Sequence, residues 1–118
     1  MGDRPIEAVC HCGAVRIRLP RAPESVTRCN CSWCRKNASR AVYFGSEELD
    51  IRGEFDSYVR TDIDEPMIRF MRCRNCGLHT HWEPLDEPPH KRMGINANLI
   101  DAAALEGAEE TEVDGASW

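Results

Sequence analysis

Seven cysteines fall into three short clusters, Cys10-His11-Cys12, Cys29-Asn30-Cys31-Ser32-Trp33-Cys34 and Cys73-Arg74-Asn75-Cys76. This grouping limits what the chain can fold into more than any other feature. Thiols two or three positions apart can converge on one soft cation, whereas a disulfide framework uses an even number of cysteines spread along the chain. The first reading is therefore zinc.

The clusters divide by count into a group of four and a group of three. Cys10 and Cys12 with Cys73 and Cys76 would give a closed four-thiolate site, the form in which zinc holds a fold together. Cys29, Cys31 and Cys34 would then remain, and a zinc with three protein ligands keeps one position for water or substrate. Spacing leaves other partitions open. His11, His79, His81 or His90 could complete the three-cysteine group and make both sites structural, and a Cys-x-x-Cys pair can also serve redox chemistry. Against the redox option, Cys73-Arg74-Asn75-Cys76-Gly77 has its own partner pair and resembles a zinc knuckle.

Cys10-His11-Cys12-Gly13-Ala14-Val15, then Cys29-x-Cys31-Ser32-x-Cys34-Arg35, then Cys73-x-x-Cys76-Gly77 closely resemble the motifs of the glutathione-dependent formaldehyde-activating enzyme family, which also includes centromere protein V. The resemblance runs over residues 9–99 and includes Gly94-Ile95-Asn96-Ala97-Asn98-Leu99. It implies a mainly β, single-domain β-tent fold of small antiparallel sheets stapled by two zinc ions. Carried over to this chain, Cys10, Cys12, Cys73 and Cys76 would be the structural site, and Cys29, Cys31 and Cys34 the catalytic one, whose zinc can be labile. The implied reaction is addition of the glutathione thiol to formaldehyde, or its reverse, a carbon–sulfur lyase activity.

Length and charge agree with such a domain. A chain of 118 residues with 7% aromatics builds a thin core, and a small domain gains much from metal staples. The net charge of -5 disfavours a nucleic-acid partner. Neither a membrane span nor an apolar leader is visible in the sequence, and metal-bound thiols point to a reducing cytoplasm. We expect a zinc-binding domain over residues 1–105 and an acidic segment over 106–118. In that segment Val113-Asp114-Gly115 could form a last strand, with Val113 packed and Trp118 partly ordered.

Alternation dominates the rest. Val15, Ile17 and Leu19 interleave with Arg16 and Arg18, which reads as a strand with one wet face. Further strands are expected over 41–44, 57–60, 67–72, 79–83 and 92–99, a helical turn over 32–36, and a short helix capped by Asp101 and running to 105. His79 and His81, two apart on a strand, should face the same side. His11 should point outward and His90 lie in a loop. Tyr43, Phe44, Tyr58, Phe70 and Trp82 read as core or as a pocket wall above the metal, and Trp33 as an exposed turn residue shielding it.

A zinc on three anionic sulfurs acidifies water less than one on three histidines, so it suits an incoming thiol better than hydrolysis. Arg28, Arg35, Lys36 and Arg40 surround the three-cysteine motif. They could offset its charge and receive substrate carboxylates. The competing functional reading is a non-catalytic, zinc-stabilised interaction module, in which the second site is closed.

Overall fold

The computed structural model describes residues 5–85 and 92–117; His90 and Trp118 lie outside them. Among the described residues ten strands form two sheets. The smaller sheet contains β1 (Ile6–Val9), β2 (Arg16–Leu19) and β5 (Asp50–Arg52), in the order β1-β2-β5. The larger has seven strands in the order β10-β3-β4-β9-β8-β7-β6. Its members are β3 (Ser25–Cys29), β4 (Arg40–Gly45), β6 (Phe55–Tyr58), β7 (Ile68–Cys73), β8 (His79–Pro84), β9 (Arg92–Asn96) and β10 (Glu109–Val113). One short helix, α1 (Ser32–Asn37), interrupts them.

The alternation in β2 does what the sequence predicts: Ile17 and Leu19 are fully buried and Arg16 and Arg18 exposed. With Ala8 and Val15 they meet Val26, Val42, Phe44, Met93 and Ile95 of the larger sheet in one core between the two sheets. Cys10 and Cys73 belong to the same core. Because Cys10 follows β1 and Cys73 ends β7, the four-cysteine group joins one sheet to the other.

The sheets are antiparallel except for one pair, a departure from the expected all-antiparallel arrangement. β10 lies parallel to β3, with Glu109 opposite Ser25 and Val113 opposite Cys29. The acidic segment thus includes an edge strand, and Val113 is half-buried. Charged residues along such an edge discourage further strands from pairing with it. The expected strand over 92–99 ends at Asn96 and continues as a 3₁₀ turn, Ala97–Leu99, started by the Asn96 side chain accepting from the Asn98 N–H. Asp101 caps Ala102–Leu105 in the same way.

The two faces of the larger sheet differ. Val42 opposite Ile95 faces the core, whereas Tyr43 and Trp82, both opposite Gly94, share the outer face with rings 5.9 Å apart. A Cβ at Gly94 would collide with the Trp82 indole. Gly94→Ala is therefore expected to cost about 1–3 kcal/mol through overpacking, read as a lower urea midpoint with an unchanged slope.

Candidate functional site

The two thiol groups separate as the cysteine count suggests: Cys10, Cys12, Cys73 and Cys76 form one set, and Cys29, Cys31 and Cys34 another, with the sulfurs of each set within 4.8 Å of one another. All seven are free thiols. In the first set Cys10 Sγ is 3.6 Å from Cys12 Sγ, which is 3.7 Å from Cys73 Sγ. A disulfide would bring two sulfurs to about 2.05 Å, whereas four ligands at the usual Zn–S length of about 2.3 Å sit about 3.8 Å apart in a tetrahedron. The observed spacing is compatible with a tetrahedral cage around one metal ion such as zinc.

Local backbone geometry builds this cage. Gly13 and Gly77, which follow the paired cysteines, adopt φ of 82° and 79°, a region costly for residues with a Cβ. These turns bring Gly13 N–H onto the Cys10 carbonyl (3.1 Å) and Gly77 N–H onto the Cys73 carbonyl (2.9 Å). Amides then point at sulfur: Val15 N–H donates to Cys10 at 3.2 Å, and Asn75 and Cys76 N–H to Cys73 at 3.4 Å. At Cys73 the Cys76 amide favours the thiolate most strongly, with help from that of Asn75, but burial and the neighbouring Cys12 and Cys10 sulfurs outweigh them and leave the thiol above its usual value. Hydrogen bonds from Asn75 and the Ala14 backbone, with help from Cys10 and Cys73, lower the Cys12 thiol to about 6.

The three-cysteine set is assembled from the end of β3 and the start of α1. Cys31 is the helix N-cap, its sulfur accepting from Cys34 N–H at 3.4 Å. Cys29 accepts from Cys31 N–H at the same distance. Burial acts most strongly on the Cys31 thiol and pushes it up, but hydrogen bonds led by the Cys34 amide outweigh it and leave the thiol below its usual value. Burial, followed by the neighbouring Cys31 and Cys29 sulfurs, pushes Cys34 far up. A divalent soft cation relieves that crowding, so this donor set fits zinc as well. Among the described residues no histidine joins either set.

A helix of six residues with none buried does not hold its shape alone. Ala38 ends it in the left-handed region at φ 50°. Its carbonyl accepts from Asn98 Nδ2 at 2.9 Å, and Asn98 Oδ1 accepts from Arg40 Nε at 2.8 Å. Asn96 extends the network by donating to the His79 carbonyl at 2.9 Å. On the other flank, Asn30 donates to Asp114 and accepts from Ala116 N–H, both at 2.9 Å. The segment after β10 therefore braces the loop between Cys29 and Cys31.

Trp33 is not the exposed residue expected. It is half-buried, stacked on Phe70 at 3.6 Å and edge-on to His79 at 4.5 Å. With Tyr58, Arg72, Asn37 and Gly77 these side chains line a cleft of about 150 Å³ beside α1. Tyr43 and Trp82 share the outer face, whereas Phe44 is buried in the core.

His79 and His81 do not face the same side, contrary to expectation. The register of β7 against β8 shifts between Met71 and Arg72, so Met71 opposes His81 and Arg72 opposes His79. One residue step on β7 spans two on β8, and such a bulge reverses the alternation. His79 packs on Trp33 and Phe70, while His81 packs edge-on against Phe55 at 5.1 Å with Nδ1 2.9 Å from Thr80 Oγ1. His79 Nδ1 lies 3.0 Å from the Met71 carbonyl, an acceptor, so Nδ1 carries the proton. His11 is exposed, as expected.

Burial pushes both buried histidines down to about 4, helped at His81 by His79. The unfolded chain protonates them below about pH 6.5. Between these values it holds more protons than the folded chain, so stability is full above about 6.5 and falls as pH drops towards 4. By about pH 5 the expected loss is on the order of 2 kcal/mol per ring. Urea midpoints from pH 7.5 to 5 should fall less in His81→Leu than in the wild type; parallel curves would assign the acid sensitivity to the thiols instead.

The basic residues named from sequence are scattered. Arg28 is exposed opposite Glu112, Arg35 and Lys36 are exposed in the last turn of α1, and Arg40 is held by Asn98. Sequence reasoning missed Arg60, whose Nη2 lies 3.4 Å from Ser32 Oγ beside Cys31. The only sequence hint is an acidic partner two residues on, in Arg60-Thr61-Asp62.

Fold and site define a small mainly β protein with two thiol groups shaped for metal. A family model described as glutathione-dependent formaldehyde-activating enzyme matches residues 5–114, and the chain belongs to that family. A protein of Halomonas elongata that carries this name provisionally is 40% identical over 55 residues, 46% of this chain and 32% of that protein. A crystal structure of a Rhodobacter sphaeroides protein superposes with a TM-score of 0.68 at 26% identity, covering 92% of this chain and 100% of that one. Among the described residues no helix is long and apolar enough to cross a membrane.

Proposed function

We propose that the protein is a zinc-dependent carbon–sulfur lyase that adds a thiol such as glutathione to a small aldehyde such as formaldehyde, or releases it. Family membership supports a role in glutathione-dependent formaldehyde handling. The observation that carries the finer reading is the group of three thiols that no fourth metal-binding side chain among the described residues joins. In this reading Cys10, Cys12, Cys73 and Cys76 hold a structural zinc, and Cys29, Cys31 and Cys34 a catalytic one. Zinc bound there would keep a coordination position for the substrate sulfur and favour its thiolate form.

The chain's own residues do the rest. The Cys31 and Cys34 N–H groups hold the Cys29 and Cys31 sulfurs in place before substrate arrives. Trp33, stacked on Phe70, shields one side of α1 from water. Arg28, Arg35, Lys36 and Arg40, though spread over β3, α1 and β4, add positive charge that offsets the thiolates. In the forward reaction a sulfur–carbon bond forms as the carbonyl π bond breaks, and the thiol's proton ends on the new hydroxyl oxygen. Holding thiol and aldehyde together supplies most of the acceleration. A reduced thiol substrate and unpaired cysteines suit the cytoplasm.

Exchange NMR of glutathione and formaldehyde tests this directly. Catalytic amounts of zinc-loaded protein should speed interconversion with the hydroxymethyl adduct beyond the unaided rate. An unchanged rate with folded, doubly loaded protein would overturn the lyase reading in favour of an interaction module.

A further inference from the structure

Arg60 sits in the loop between β6 and β7 with its side chain only 17% exposed. Its guanidinium is gripped from the side by Asp62: Nε lies 2.9 Å from Oδ1 and Nη2 2.7 Å from Oδ2. The same Nη2 is 3.4 Å from Ser32 Oγ, the residue directly after Cys31. Hydrogen bonding to Asp62 raises Arg60, and Cys31 is near enough to add to the rise; Asp62 falls in turn to about 2, chiefly through Arg60. Both groups are charged at neutral pH.

An arginine has five N–H donors in a planar fork. The grip of Asp62 uses two, from Nε and Nη2, and among the described residues no acceptor bonds Nη1. Asp62 therefore orients the guanidinium and leaves its Nη1 edge available beside the three-thiol group. Arg35 and Lys36, by contrast, are exposed at the far end of α1.

The geometry points to Arg60 as the core of an anion subsite that receives a carboxylate of the thiol substrate while its sulfur lies at Cys29, Cys31 and Cys34. This rests on the thiol reading above and goes beyond it by naming the residue that selects an anionic thiol over a neutral one. Arg60 and a bound carboxylate would form a charge-assisted pair, and Ser32 ties the pair to the metal motif.

Calorimetric titration of the zinc-loaded protein with glutathione and with glutathione diethyl ester, which lacks both carboxylates, separates the possibilities. Arg60→Gln, with zinc content verified, should weaken glutathione about tenfold to a hundredfold and leave the ester unchanged. Arg60→Lys, which keeps the charge but loses the fork, should fall between and serves if the glutamine variant does not fold. Equal weakening of both ligands would make Arg60 a prop for α1 and overturn the assignment, as would no change in either. A wild type that binds neither would overturn the thiol reading, and the subsite with it.

Discussion

Cys73→Ser is expected to leave the chain largely unfolded at room temperature and to remove one zinc per chain. Cys73 is 1% exposed, belongs to the core and collects the backbone N–H groups of Asn75 and Cys76 on its sulfur. With Cys76 it faces Cys10 and Cys12 from the other sheet, so its loss opens the link between the sheets. Serine offers a hard oxygen in place of a soft thiolate and leaves a hydroxyl in an apolar pocket. Structural zinc supplies about 10–16 kcal/mol in small peptides, comparable to the 5–15 kcal/mol that is the whole stability of a typical domain. Circular dichroism with native mass spectrometry reads both effects. A variant that melts within a few degrees of the wild type would show that the core holds the sheets together without this site.

The cysteine grouping was legible because metal ligation is a local pattern repeated in each motif. β2 was legible for a related reason, since its burial alternates residue by residue. β1, β3 and β5 escaped notice because each has five residues or fewer and lacks a clean period; β3 also runs into the cysteine motif. Where β10 would pair could not be read from its acidic composition, because a parallel partner far away in sequence supplies its hydrogen bonds.

The finer features of the site depend on register and on loops. The same-side expectation for His79 and His81 was sound for a regular strand and failed at one bulge. Closeness in sequence selected Arg28, Arg35, Lys36 and Arg40, while the chain brings Arg60 to Ser32 from a distant loop. Trp33 read as exposed because its partner, Phe70, lies on another element. In each case the missing information was a contact between segments, which periodicity and spacing do not encode.

Cys34→Ser should separate chemistry from folding in the opposite way to Cys73→Ser. Cys34 lies on a helix with no buried residue, and that helix is braced by Asn98 at its end and by Asn30 before its start. Those braces do not pass through the Cys34 sulfur. The melting temperature should therefore move by only a few degrees, the shift that about 1 kcal/mol produces in a domain of this size. Removing even a residue that only supports a metal ligand costs about tenfold to a hundredfold, so removing a ligand should lower thiol–aldehyde exchange by more than about a hundredfold. Zinc content should fall from two towards one. If turnover survives, the thiol is handled elsewhere on the protein; if the fold collapses, the three-cysteine group is a second staple and the interaction-module reading gains. A folded, inactive, singly loaded variant is the combination that only an open, substrate-binding metal site explains.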